Sequence, residues 1–168
     1  MDVCELLWGS SLFLDIVDHP ATVKAFLDLL TETYERFMDE WFGLVGEPGE
    51  TAVHWGMGHR GAIMLRDDSA MNFSPAMFAE FIGPYDGRLL ERYCGGIHFC
   101  GKGDHYIGQA AALPGLTTIN LSQPEYNDME TIFAATVDRG IQIVGLRRDT
   151  GEEALAAGRD LHGNVHCW

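Results

Sequence analysis

Apolar positions recur along the chain with two periods, one close to 3.6 residues and one short and strand-like. From Asp18-His19-Pro20, which predicts a helix start with Asp18 as N-cap and Pro20 in the first turn, a stripe runs through Val23, Phe26, Leu27, Leu30, Tyr34, Phe37, Met38 and Trp41. Gly43 to Glu50 reads as a polar loop. The short run Ala62-Ile63-Met64-Leu65, inside Gly61 to Arg66, predicts a strand that ends at Asp67-Asp68. Ser74-Pro75 opens a second helix whose apolar face is Met77, Phe78, Phe81, Ile82, Leu89 and Leu90. Gly83-Pro84 lies inside that helix and predicts a kink or a break.

Gly95-Gly96 precedes a short strand, Ile97-His98-Phe99-Cys100, and a short helix is expected near Asp104 to Leu113. A strand over Thr117 to Leu121 follows. Asp128 then caps a helix from Met129 to Asp138, which Gly140 ends. Ile141 to Leu146 predicts another strand, Thr150 caps a helix through Asp160, and Asn164 to Trp168 form a last short strand. Strands alternating with helices across short loops imply a parallel sheet in one α/β domain spanning 1–168. The strands are apolar and end in Asp, His, Cys, Asn or Arg, which suits a (β/α)8 TIM barrel with its functional groups at the carboxyl ends of the strands. A doubly wound open sheet is the competing arrangement. Gly101-Lys102-Gly103-Asp104 lacks the spacing of a phosphate-binding loop.

Composition narrows the partners. The net charge is −14, from 25 acidic and 11 basic residues, so the surface repels nucleic acid and anionic membranes. A small-molecule substrate is the expected partner. No apolar run approaches the roughly 20 residues of a membrane span, and Met1-Asp2-Val3-Cys4-Glu5 lacks the basic start of a secretory signal. The expected location is the cytoplasm, where clustered Cys and His point to metal binding or catalysis rather than to disulfides.

His98 and Cys100 are the most informative pair. Residues i and i+2 of a strand face the same way, so imidazole and thiol project together, and Gly101 lets the backbone turn aside. Catalytic zinc commonly takes three protein ligands and keeps a fourth position open. Cys167, at the end of the last strand, is the best third ligand by position. The plainer role of such a pair is core packing, as it is for Cys4 and Cys94. His166 should face away from Cys167. His54 and His59, in Val53 to His59, are alternative ligands if that segment is more than a loop. Asp67 and Asp68 close a strand, where a carboxylate can contact substrate or orient a metal-bound histidine; loop solvation is the plainer role. Asn120, Ser122, Gln123, Arg147 and Arg148 could bind polar substrate groups or simply lie on the surface. Tyr126 and Trp168 could wall a site.

Three stretches carry a family resemblance. Asp67-Asp68-Ser69-Ala70-Met71, then Ser74-Pro75 with Met77, Phe78, Phe81, Pro84 and Tyr85, then Ile97-His98-Phe99-Cys100-Gly101, resemble the uroporphyrinogen decarboxylase superfamily. That superfamily also contains cobalamin-dependent methyltransferases. Leu7 to Phe42 looks like its third strand region and following helix, so the chain resembles the portion from about the third or fourth strand to the eighth. The methyltransferase branch is similar in having His-x-Cys on the fifth strand and Cys on the eighth, which together hold zinc; these correspond to His98, Cys100 and Cys167.

The resemblance implies zinc-dependent methyl transfer between a corrinoid cofactor, carried on a partner protein, and a thiol or similar nucleophile, with Asp67 or Asp68 orienting substrate or ligand. It equally admits a decarboxylase of porphyrin biosynthesis, although Asn164-Val165-His166-Cys167 does not reproduce the decarboxylase's Gly-His-Gly setting. The family's first strands have no counterpart here. An inactive half barrel, completed as a homodimer or by a missing N-terminal half, is the third expectation.

Overall fold

The computed structural model describes residues 1–168. Its first 45 residues are helical, forming α1 (Asp2–Trp8), α2 (Leu12–Asp18) and α3 (Pro20–Val45). The long stripe becomes α3, which buries Val23, Leu27 and Thr31. His19, not Asp18, is its N-cap, because Asp18 is already the last residue of α2. The third strand implied within Leu7 to Phe42 does not form. Leu12 and Ile16 stand four apart, share one helical face and are fully buried. The Trp8 indole N–H donates to the Asp15 carboxylate across 2.8 Å, tying α1 to α2.

A β-hairpin occupies the segment expected as loop. Strands β1 (Thr51–His54) and β2 (Met57–Arg60) pair antiparallel around Trp55-Gly56. Both turn residues have positive φ, 49° and 79°, the pattern of a type I′ hairpin turn. That turn normally announces itself as Asn-Gly or Asp-Gly, and a tryptophan in the first place hides it.

The rest of the chain alternates as the pattern predicts. In order come β3 (Ile63–Arg66), α4 (Pro75–Phe81), α5 (Gly83–Tyr93), β4 (Gly95–Phe99), α6 (Ile107–Ala110), β5 (Leu116–Leu121), α7 (Met129–Ala135), β6 (Gln142–Leu146), α8 (Arg148–Ala156) and β7 (Val165–Cys167). The Ser74 hydroxyl accepts the Met77 N–H and caps α4, and the expected break falls at Ile82 before Gly83-Pro84. Thr150 lies inside α8 rather than capping it; the neighbouring Asp149 carboxylate accepts the Thr150 N–H at 2.7 Å. No helix is long and apolar enough to cross a membrane.

Strands β3-β4-β5-β6-β7 form one five-stranded parallel sheet in chain order. The order never reverses, so the doubly wound alternative is not formed. Alternation gives the sheet two faces. Ile63, Leu65, Ile97, Phe99, Ile119, Leu121 and Ile143 join the helices in the hydrophobic core, where Phe78 stacks on Tyr106 at 4.7 Å. Each fully buried side chain of this size contributes about 1.5–3 kcal/mol. The other face carries Arg66, His98, Asn120 and Val144, and the hairpin covers it through the buried Met57 and His59. Gly145 makes this possible: a Cβ there would stand 2.3 Å from Met57 Sδ.

Candidate metal centre

Parallel register sets Arg66, His98 and Asn120 side by side in one row across β3, β4 and β5. The His98 Nδ1–H donates to Asn120 Oδ1 at 2.5 Å, and the Asn120 amide in turn donates to the Val144 carbonyl at 2.6 Å. The second bond fixes which way the amide points, and therefore which nitrogen of His98 carries the proton. The Nε2 lone pair is left facing the carboxyl end of the sheet. His98 and Asn120 are both buried.

Two further donors converge on that lone pair. Cys100, just past β4, brings its Sγ to 3.5 Å from His98 Nε2. Asp68, just past β3, brings Oδ1 to 3.2 Å from the same nitrogen. The three atoms lie within 4.8 Å of one another. Asp68 Oδ1 is buried with no hydrogen-bond donor, although an imidazole nitrogen is so close. With His98 protonated on Nδ1, oxygen and nitrogen present lone pairs to each other. Only a shared cation, a proton or a metal ion, makes that contact favourable.

The surroundings hold this group in place. Gln123 accepts the Gly101 N–H at 2.6 Å, and Asn127 clamps the same loop by accepting the N–H groups of Gly103 and Asp104. The Ser122 hydroxyl sits 3.5 Å from Cys100 Sγ. Burial pushes the Cys100 thiol up, and the adjacent Asp68 carboxylate adds to this, while Ser122 works in the other direction. Arg66 donates to Asp68 Oδ2 at 3.3 Å and stacks on Trp55 at 4.7 Å. Trp55 in turn meets the His98 ring edge-on at 4.8 Å. A cavity of about 320 Å³ opens beside the group, bordered by Trp55, Asn120, Ser122, Gly145, Arg147 and Trp168.

Cys167 and Asp67 lie elsewhere, and Arg147 only borders the neighbouring cavity. Cys167 faces the helices: it packs on the core, and a Cβ at Gly151 of α8 would stand 2.6 Å from its Sγ. It is not one of the converging donors, because the register pairing it with Leu146 gives it the core-facing side of β7. Asp67 also points away from Asp68. Fully buried, it accepts the Met1 ammonium at 2.9 Å. Burial alone would raise the Asp67 carboxyl, but that ammonium and a hydrogen bond from Asp86 bring it below its usual range. Burial and the Asp67 charge push Asp86 well above its own. Arg147 is exposed and engaged with Asp149 and Glu125, and Tyr126 is exposed as well.

Asn127 carries no signal in the sequence pattern, and Asn120 stands there only as a candidate for polar substrate groups. Asp68, expected at a strand end to contact substrate or orient a metal-bound histidine, instead stands as a converging donor itself. The signal for Asn120 was its place at the same height as His98 in the next strand, which becomes visible once the register is known. Comparison with protein-family models, with curated proteins and with solved structures finds no match for this chain.

Proposed function

We propose that the chain holds a thiophilic divalent cation, zinc by its donor set, at Asp68, His98 and Cys100, and that the site serves methyl transfer to a thiol. One observation carries the metal. Around tetrahedral zinc, ordinary bond lengths put nitrogen and oxygen ligands about 3.3 Å apart and nitrogen and sulfur ligands about 3.6 Å apart. The protein has 3.2 Å and 3.5 Å between the corresponding atoms. Two anionic donors and a neutral imidazole also balance a divalent charge, and thiolate with imidazole favours zinc over magnesium or calcium.

The methyl-transfer reading rests on the motif resemblance to the uroporphyrinogen decarboxylase superfamily, read here as part of its (β/α)8 barrel. Strand order equal to chain order, helices against one face and donors at the carboxyl ends of strands all support that reading. A zinc ion bound there supplies Lewis acidity that favours the thiolate of a thiol substrate at neutral pH. The protein's own part is orientation and exclusion of water. Asn120 holds His98 in its ligating tautomer, Arg66 offsets the Asp68 charge, and the cavity bordered by Asn120 and Ser122, which contact His98 and Cys100, is of a size for a small thiol. The methyl donor is a corrinoid on a partner protein. A decarboxylase acting on many carboxylates is less well supported, because Arg66 and Arg147 are already paired with the chain's own acids.

The same atoms admit a second reading. Cys100, His98 and Asn120 stand in the order nucleophile, base and orienting amide. A nucleophilic cysteine needs its thiol lowered, however, and here burial and Asp68 raise it. The buried, unpartnered Asp68 Oδ1 beside His98 Nε2 favours a cation shared among the three donors over a free thiolate next to it.

Metal content measured after purification without chelators tests the proposal. About one zinc per chain is expected in the wild type and in Cys167→Ala, with loss in His98→Ala and Cys100→Ala. A metal-free wild type overturns the proposal. Loss in Cys167→Ala would instead restore the ligand set that the family resemblance implies.

A further inference from the structure

The hairpin tip bears on this centre in a way the three donors do not account for. His54 ends β1 immediately before the Trp55-Gly56 turn, and its Nε2 is buried without any hydrogen-bond partner. Its ring centroid lies 6.1 Å from that of His98 and 4.5 Å from Trp55. The tip is also held over the site from outside, since Trp55 keeps a positive φ of 49° while wedged against His98 and Arg66. A side chain rarely adopts that conformation without contacts that enforce it.

We infer that His54 is the fourth ligand of the metal proposed above, carried to it on the β1–β2 hairpin. The inference rests on that metal reading and adds the donor it lacks. Two imidazoles bound to one tetrahedral zinc have ring centroids about 5 Å apart, from ordinary bond lengths. At 6.1 Å, the His54 and His98 ring centroids stand about 1 Å further apart than that, and His54 is not one of the three converging donors. The unpartnered nitrogen then has a use that no neighbouring donor or acceptor provides. The resting centre is closed with Asp68, His98, Cys100 and His54, and a thiol substrate enters by displacing an imidazole rather than by filling an open position. Ligand exchange and hairpin movement become one event, with β2 anchored by Met57 and His59 while β1 moves.

Cobalt(II) titration of the full chain separates this inference from the metal reading. Wild type should bind one cobalt with the intense visible bands of a four-coordinate ion. His54→Ala should bind at least 10-fold more weakly with shifted bands, and free imidazole should restore them. His162→Ala, altered at an exposed histidine, should match the wild type. Hydrogen exchange of residues 51–60 should slow on cobalt binding in the wild type and stay unchanged in His54→Ala. A wild type that binds no cobalt fails the metal reading itself. Equal affinity and identical bands in wild type and His54→Ala, with both folded by circular dichroism, overturn the fourth ligand and leave the three-donor site standing.

Discussion

Asn120 is the residue on which the candidate centre depends most without touching a metal. It accepts the His98 Nδ1–H and donates to Val144, both inside the protein. Asn120→Leu fills a similar volume but leaves the His98 proton and the Val144 carbonyl unpaired. The expected cost is about 1–3 kcal/mol of stability and about 10- to 100-fold in zinc affinity, read by denaturant titration and by competition with a chromophoric chelator. Unchanged zinc affinity would show that His98 is oriented without it. The His98–Cys100 pair was legible in the sequence, because a two-residue period within one strand is local information. Asn120 was not, because its partnership depends on how β5 lies against β4. Cys167 illustrates the same limit: the register at its bulged pairing with β6 decides which face it takes, and that face belongs to the helices.

Among the elements, the hairpin departs furthest from the sequence pattern. Strands of four residues are too short for their alternation to stand out, and Trp55 replaces the usual turn signal. The other strands were legible because apolar runs bounded by glycine or polar residues have few other ways to be buried. The strand region that the family likeness implies within Leu7 to Phe42 fails for a different reason: Leu12 and Ile16 stand four apart and build a buried helical face. Packing of the hairpin on the sheet makes its own prediction at Gly145. Gly145→Ala places a Cβ 2.3 Å from Met57 Sδ and 2.8 Å from the Asn120 amide nitrogen, at a φ of 69°. Strain and overpacking together should cost about 2–4 kcal/mol. Gly108→Ala, in α6 with nothing within 4 Å, should instead gain about 0.5–1 kcal/mol. Urea midpoints at constant slope check both, and equal shifts would mean that the hairpin does not press on the sheet.

For the whole molecule, the buried acids Asp67 and Asp86 tie stability to pH in opposite directions. Asp67 is lowered, so its contribution is present above the ordinary value of 3.8 and is lost as pH falls below it. Asp86 is raised, so its contribution is complete below 3.8 and is lost as pH climbs toward the raised value. Asp86→Asn keeps the hydrogen-bond donor and cannot ionise. Its melting temperature should therefore gain on the wild type as pH rises from 4 toward 8, and a constant difference across that range would contradict the assignment.

The unbroken strand order has a consequence for how the molecule is made. A ribosome releases β3 first, and each later strand finds its only earlier neighbour already in place. Asp68, His98 and Cys100 have all emerged by the time β5 pairs with β4, and β5 brings Asn120 with it. The donors are therefore gathered before β6 arrives, and the Asn120 amide that orients His98 is fixed only when β6 brings the Val144 carbonyl.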